Sequence, residues 1–231
     1  MLVKKLLFVI FIAFSLNLTA QHKPFQFGFK AGPNIGWFST SSDNYSNVGT
    51  DFGGSWGFIA DFFIMENYSF TTGFDVLYLN GTMEYPSYGD QILFPPKQGL
   101  LKRRYRTKYV KLPFIFTMKT NKIKKVRYYA QIGFGLSILL TAKANDEFTP
   151  DNGDDKITDS SNIYDELCFT RESLILGAGI EIPLQGSTFM RVGLVYDNAF
   201  VNILKGDNAV DSSVKNNGRN CFLGLDVSIL F

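Results

Sequence analysis

The chain has 231 residues, of which 45% are hydrophobic, and a formal net charge of +2 at pH 7. This charge is too small to predict nucleic-acid binding, so we expect no nucleic-acid partner. The 23 Phe, 11 Tyr and 21 Gly residues are typical of strands and bends, and only 19% of residues are charged. The composition therefore favours a protein built from β-strands.

The N-terminal region has the pattern of a secretory signal peptide. Two lysines near the start are followed by apolar residues 6–16. Leu-Thr-Ala at 18–20 has the small last residue that is typical of a signal-peptidase cleavage site. We expect residues 1–20 to be this signal peptide and residues 21–231 to form a single domain. No later stretch contains the 18 or more apolar residues of a transmembrane helix.

Beyond the signal peptide, apolar residues recur at every second position in eight segments, which predicts eight β-strands. These segments are residues 25–38, 54–64, 69–80, a segment that ends near 118, 127–141, 173–182, 190–197 and 223–231. The connections between them alternate in length. Short connections are 65–68, 119–126 and 184–187, and long polar ones are 39–53, 81–102, 142–168 and 198–218. Bacterial outer-membrane barrels have this layout, with short periplasmic turns and long outer loops.

The last predicted strand is apolar at every second residue up to Phe231. This pattern is typical of the closing strand of a barrel in lipid, so we interpret Phe231 as the terminus that directs membrane insertion. We predict an all-β fold: an eight-stranded antiparallel up-and-down transmembrane β-barrel with long extracellular loops, formed by residues 21–231. We expect it in the cell outer membrane, with both termini in the periplasm. A soluble lipocalin-like barrel is disfavoured, because here the face that carries glycine and charge must be the enclosed one.

The enclosed face of the predicted barrel carries charged residues. Strand position places seven of them in the lumen: Lys30, Asp61, Asp75, Lys111, Glu181, Arg191 and Asp226. An eight-stranded barrel is just wide enough for side chains to fill, and unpaired charges there are costly. We therefore predict a network of ion pairs that fills the lumen. A file of groups that conducts protons or ions is the alternative interpretation.

The sequence does not predict catalysis. Its only histidine, His22, lies beside the predicted cleavage site, whereas a Ser-His-Asp triad or a histidine-ligated zinc site needs an imidazole within the fold. Asp61 and Asp75 could act as an acid and a base, but they are more easily explained as partners of the lumen cations. We expect no catalytic residue, no metal and no cofactor.

Four basic residues alternate at the start of the fourth strand: Lys102, Arg104, Arg106 and Lys108. They share the parity of Val110, which we expect to face lipid. If the strand continues upward past the membrane, the four stand in a row just above the lipid. There they could contact the phosphates of lipopolysaccharide through charge-assisted hydrogen bonds. An ordinary basic strand extension is the alternative.

Two further features of the sequence, a basic turn and two cysteines, are interpreted without a functional role. Residues 119–127 are interpreted as a solvated basic turn in the periplasm. Cys168 and Cys221 are predicted to lie on strands that are separated by another strand. Because next-but-one strands are too far apart for disulfide geometry, we expect two free thiols.

Several segments give the chain a family resemblance. Residues 27–34 (Phe-Gly-Phe-Lys-Ala-Gly-Pro-Asn), 109–113 (Tyr-Val-Lys-Leu-Pro) and 177–181 (Gly-Ala-Gly-Ile-Glu), with the terminal phenylalanine, resemble the PorT-like outer-membrane β-barrel proteins. Lys111 stands where an acidic residue is common in that group. The resemblance implies the fold and the location, and it brings no shared catalytic residues. Some members of the group are associated with export of proteins to the cell surface.

These observations lead to a prediction of function. We expect a structural or interaction protein with a filled lumen, an anchor, adhesin or secretion-accessory subunit that acts through its outer loops. The alternative is a narrow channel or a barrel that binds a small ligand or lipid. Expected partners are outer-membrane lipids and lipopolysaccharide, the barrel-assembly machinery during insertion, and a protein at the outer loops.

Overall fold

The computed structural model describes residues 24–42, 44–89, 97–153 and 155–231. The predicted signal peptide, its cleavage site and His22 lie outside these described residues. In the described part, no helix is long and apolar enough to cross a membrane.

The described residues form nine strands and one short 3-10 helix. The strands are β1 (Phe25–Ser39), β2 (Ser46–Met65), β3 (Tyr68–Tyr88), β4 (Gln98–Lys119), β5 (Arg127–Pro150), β6 (Ile157–Asn162), β7 (Thr170–Pro183), β8 (Phe189–Ala199) and β9 (Arg219–Leu230). The 3-10 helix spans Tyr164–Glu166, between β6 and β7.

Eight of the strands close into a barrel. Each pairs antiparallel with its neighbours, β1 pairs with both β2 and β9, and β4 pairs with β5 to complete the ring. The ninth strand, β6, pairs only with the upper part of β5. The predicted eight-stranded antiparallel barrel is confirmed, and β6 is an addition to it. We describe the barrel with its long connections upward, the outer side in bacterial barrels.

Three of the four long connections are largely strand, contrary to the prediction that they are loops. β2, β3, β4 and β5 continue well beyond the predicted bounds and carry the barrel wall upward. Water, and not lipid, surrounds this part of the wall, so apolar residues are not required at every second position. The prediction failed here because it depended on that alternating pattern. We call the following residues the extracellular sheet: 46–51 of β2, 80–88 of β3, 98–107 of β4, 143–150 of β5 and all of β6.

The outer surface of the lower barrel is a continuous apolar belt. Exposed aromatic side chains at its lower edge are Phe25, Phe62, Phe70, Tyr128 and Phe231. At its upper edge Trp56 and Tyr78 are exposed, and Trp37 stacks on Tyr196 with 6.2 Å between ring centroids. Aromatic side chains at these two levels suit the two interfaces of a membrane, so the membrane-spanning segments lie between them.

Candidate functional site

The lower half of the lumen holds four charged side chains that we call the lower cluster: Asp61, Lys119, Glu181 and Arg191. Arg191 donates from Nη2 to Asp61 and, over 3.1 Å, to Oε2 of Glu181. Nζ of Lys119 lies 2.8 Å from Oε2 of Glu181 and 3.4 Å from Oδ2 of Asp61. None of the four side chains is more than 3% exposed. Each carboxylate therefore contacts both cations of the cluster in a nearly dry environment, and Glu181 also lies 3.9 Å from Arg127.

The middle of the lumen holds an upper cluster, which consists of Lys30, Asp75, Lys111, Arg171, Asp197 and Asp226. Nζ of Lys30 lies 2.9 Å from Asp75 and 3.6 Å from Asp226. Lys111 lies between Asp75 at 3.6 Å and Asp197 at 3.3 Å. Arg171 donates to Asp197 over 2.6 Å. The alternation of cations and carboxylates forms one chain across the barrel.

Both clusters are electrically neutral. The lower one pairs two cations with two carboxylates and the upper one pairs three with three. Neutral, paired groups avoid the large cost of an isolated buried charge. A cavity of only about 20 Å³ lies against both Lys30 and Lys111, near Thr71 and Gln131. That space holds about one water, so little room remains beside these two lysines.

All seven residues that the sequence places in the lumen belong to these clusters, and three further members were missed. Lys119 was assigned to the solvated turn, which is wrong: it is the last residue of β4 and its side chain is buried. It shares the inward parity of Lys111, a signal that the early predicted strand end obscured. Arg171 lies on β7 before the predicted strand start. Asp197 has inward parity, but the sequence did not indicate that Arg171 would be its ion-pair partner.

Small residues make room for one large side chain beside the lower cluster. Tyr129 pairs across the sheet with Gly179, which pairs in turn with Gly193. A Cβ atom at Gly193 would lie 2.1 Å from the hydroxyl of Tyr129. The Tyr129 ring therefore lies flat across two glycines, where it receives the guanidinium of Arg191 at 5.1 Å from the ring centroid.

Above the upper cluster the lumen becomes apolar. Phe222 marks the change, with its ring centroid 5.1 Å from Nζ of Lys111. We call the buried side chains above it the apolar plug: Phe38, Tyr45, Leu77, Leu79, Met83, Tyr105, Tyr109, Leu139, Ala142, Ala144, Ile163, Leu167, Ile203, Leu204 and Phe222. No charge pattern in the sequence indicated this second filling of the barrel.

The connection between β8 and β9, residues 200–218, lies across the barrel mouth and contributes Ile203 and Leu204 to the plug. Asn208 anchors it by donating from Nδ2 to the Tyr45 hydroxyl and to the backbone oxygen of Pro86, each over 3.0 Å. The backbone of Ile203 accepts from the N–H of Cys168 over 2.8 Å. This segment therefore closes the top of the lumen by bonds to two sides of the barrel.

A cavity of about 360 Å³ remains between this connection and the inner face of the extracellular sheet. Tyr85, Tyr88, Phe148 and Arg103 are among the residues that line it. Arg103 donates from Nε and Nη2 to both carboxylate oxygens of Asp146, over 2.8 and 2.7 Å. Burial alone would lower the pKa of Arg103, but the bidentate pairing with Asp146 and the neighbouring groups outweigh it and raise the pKa, so the guanidinium stays charged at every physiological pH.

The predicted basic row lies on the outward face of β4, but its members differ in environment. Arg104 forms an ion pair with Asp51. Lys102 is directly opposite Glu84 and Glu147 on the two neighbouring strands. Lys108 lies over the ring of Tyr78, 5.4 Å from its centroid. Above this level, the outer face of the extracellular sheet forms an open polar groove of about 910 Å³.

Cys168 and Cys221 are both free thiols. Cys221 is buried and donates from Sγ to Oδ1 of Asn198 over 3.0 Å. Cys168 is partly exposed and lies between the 3-10 helix and β7, so the prediction that it lies on a strand is wrong.

Three comparisons with known proteins give a family and a set of structural relatives. Solved structures that resemble the fold include Neisserial surface protein A (14% identity, 90% of this chain, 97% of that chain, TM-score 0.44). Others are Ail of Yersinia pestis (11%, 90%, 100%, 0.39) and the protease OmpT of Escherichia coli (10%, 93%, 99%, 0.36). No curated protein matches the chain. A family model for the outer membrane protein beta-barrel domain matches residues 19–205, and the chain belongs to this family of outer-membrane barrels.

Proposed function

We propose that this outer-membrane barrel is an interaction protein with a closed lumen, which presents its extracellular sheet to a partner outside the cell. The observation that carries the proposal is the filling of the lumen by two neutral ion clusters and, above them, the apolar plug. A solute would have to break buried ion pairs and then displace packed apolar side chains. The barrel therefore serves as a membrane anchor for the structure above it.

The structure above the membrane suits such a role. β2 to β6 form a continuous sheet whose outer groove offers charged, amide and hydroxyl groups, including those of Lys102, Asn145 and Ser160. A surface held by strand pairing loses less conformational entropy on binding than free loops do. The proposal covers an anchor, an adhesin and an accessory subunit of protein secretion.

The first test is the conductance of the refolded full-length protein in a planar bilayer, at neutral and at acid pH. We expect no steady current at either pH, because acid does not remove the apolar plug. Steady conductance at neutral pH would refute a closed lumen. An open porin measured in the same bilayer provides the positive control.

The second test concerns the partner. A photo-crosslinking amino acid at Asp159, which is exposed on β6, should capture an extracellular partner in intact cells, whereas the same group at Lys122 in the lower turn should not. Equal crosslinking to the same partner from both positions would contradict an interaction at the extracellular sheet.

A second candidate function is the binding of a small molecule in the cavity beside Arg103. Its volume of about 360 Å³, its aromatic walls and a buried charged group are typical of small-ligand sites. Tyr88→Ala and Phe148→Ala would each remove a wall of the cavity. Under this proposal both variants weaken the same ligand, identified by thermal-shift screening of the intact barrel. A ligand whose affinity neither variant changes would argue against this cavity.

A further inference from the structure

The outward face of the barrel carries, directly above the apolar belt, a group of three basic side chains without a carboxylate partner among the described residues. It consists of Arg106 and Lys108 on β4 and Lys143 on β5, which we call the boundary triad. Arg106 and Lys143 are exposed and Lys108 is half-buried. Among the described residues, no carboxylate forms an ion pair with any of the three.

Arg106 and Lys143 are directly opposite each other in the β4–β5 pairing. Side chains at such positions have Cβ atoms about 5 Å apart, and like charges there destabilise a sheet. Asn80 and Asn162 flank the pair on the next strands, so neither direct neighbour of the pair supplies a negative charge. An anion between the two cations would turn the repulsion into attraction.

The levels immediately above show that the sheet places carboxylates beside its basic residues elsewhere. Arg104 pairs with Asp51, whose other carboxylate oxygen accepts from the hydroxyl of Thr82 over 2.6 Å. Lys102 is opposite Glu147, and Glu147 also accepts from Lys156 over 2.5 Å. The absence of such partners at the boundary triad is therefore a local feature among the described residues.

The height of the boundary triad matches the headgroups of the outer leaflet. Lys108 is directly opposite Tyr78, at the upper edge of the apolar belt. Arg106 lies two residues before Lys108 on β4, about 7 Å away along the strand in the upward direction. The exposed side chains of Leu140 and Phe169 provide apolar surface at the same boundary. A ligand at this site would have its charge beside the triad and its acyl chains along the belt.

We infer that the boundary triad binds the phosphate groups of an outer-leaflet glycolipid, the lipid A part of lipopolysaccharide. Arg106 offers a planar fork of donors that matches two phosphate oxygens, and the two lysines act as point charges around it. Of the four residues in the predicted basic row, only Arg106 and Lys108 belong to the proposed site. Arg104 forms an ion pair within the protein, Lys102 is opposite two glutamates, and Lys143 on the neighbouring strand takes part instead.

The test is native mass spectrometry of the full-length barrel with bis-phosphorylated lipid A, and with the same lipid after removal of its phosphates. The test variant is the triple substitution Arg106→Gln, Lys108→Gln and Lys143→Gln. Its matched control is Lys122→Gln, Lys124→Gln and Lys125→Gln, which removes the same charge from the lower turn. Folding of each variant is checked by the heat-dependent mobility shift of an intact barrel.

We expect the triad variant to lose at least about tenfold in affinity for phosphorylated lipid A, because its charge-assisted hydrogen bonds to the phosphates are removed. The control variant should stay within about twofold of the unmodified protein, and the dephosphorylated lipid should bind weakly to every variant. Three results would overturn the inference. They are an unchanged affinity of the folded triad variant, an equal loss in both variants, and complete displacement of the lipid by inorganic phosphate at an ionic strength at which chloride displaces none.

Discussion

Arg171 and Asp197 form a fully buried ion pair between β7 and β8, with 2.6 Å between Nη2 of Arg171 and Oδ1 of Asp197. Arg171 also donates from Nε to the side chain of Asn220 over 2.6 Å. The pair ends the upper cluster directly below the apolar plug. The contribution of this ion pair to the stability of the fold can be measured by removing one of its two partners.

We predict that Arg171→Met lowers the free energy of unfolding by about 3–5 kcal/mol, because it leaves Asp197 with Lys111 as its one remaining cation. Urea-induced unfolding in phospholipid vesicles, followed by tryptophan fluorescence, measures the change. The double variant Arg171→Met with Asp197→Asn should recover at least about half of the loss, since Lys111 keeps Asp75 as a partner. If the loss of stability in the double variant equalled the sum of the losses in Arg171→Met and Asp197→Asn, the result would contradict a buried pair.

A second prediction separates two lysines that lie close together in sequence. Lys119→Gln should destabilise the barrel by about 2–4 kcal/mol, because Asp61 and Glu181 would then share only Arg191 within the lower cluster. Lys122→Gln should change stability by less than about 0.5 kcal/mol, because that side chain is exposed. The same unfolding assay measures both. Equal effects would place Lys119 in the solvated turn after all.

The membrane-spanning part of the fold could be predicted from the sequence because lipid and lumen impose opposite requirements on alternate residues. In β9, Leu223 and Leu225 face lipid while Asp226 faces inward, and the pattern is visible without any knowledge of the partner strands. The extracellular sheet lacks this contrast. Arg104 faces water and Arg103 faces the interior, so two charged residues in succession conceal a regular strand.

The charged lumen was predictable only as far as the strand ends were. Parity assigned Lys30 and Lys111 to the interior, but it could not show which carboxylate each would contact, because that depends on strand register. The apolar plug could not be predicted at all. Tyr109 and Leu77 are buried on the inward face of the barrel, opposite the lipid. A prediction that expects polar side chains on that face does not assign these residues to the lumen.

A third prediction concerns the room that glycine provides for Tyr129. Gly193→Ala would place a methyl group 2.1 Å from the Tyr129 hydroxyl and 2.6 Å from the backbone oxygen of Ala178. Because the backbone cannot move away, we expect a loss of about 1–3 kcal/mol in the free energy of unfolding. Gly49→Ala is the control, since its methyl group would meet Thr82 at an ordinary 3.6 Å. A tolerated Gly193→Ala would show that the Tyr129 ring does not lie across this glycine.

The last prediction concerns the behaviour of the apolar plug at alkaline pH. Burial raises the pKa of Tyr105, which lies above the membrane-spanning part of β4, well above its usual value. Since the folded-state pKa is raised, the neutral phenol contributes stability that is fully present below the unfolded pKa of about 10. That contribution is lost as pH rises from there through the folded pKa.

Tyr105→Phe keeps the ring and removes the ionisable hydroxyl, whose contact with the Tyr85 hydroxyl is long at 3.4 Å. At pH 8 we therefore expect its free energy of unfolding to lie within about 1 kcal/mol of that of the unmodified protein. Between about pH 10 and 11 the unmodified protein should lose stability more steeply than the variant. The exposed Tyr88→Phe should follow the unmodified protein throughout. Parallel curves for Tyr105→Phe and the unmodified protein would mean that the phenol reaches water, and hence that the apolar plug does not exclude water at this level of the barrel.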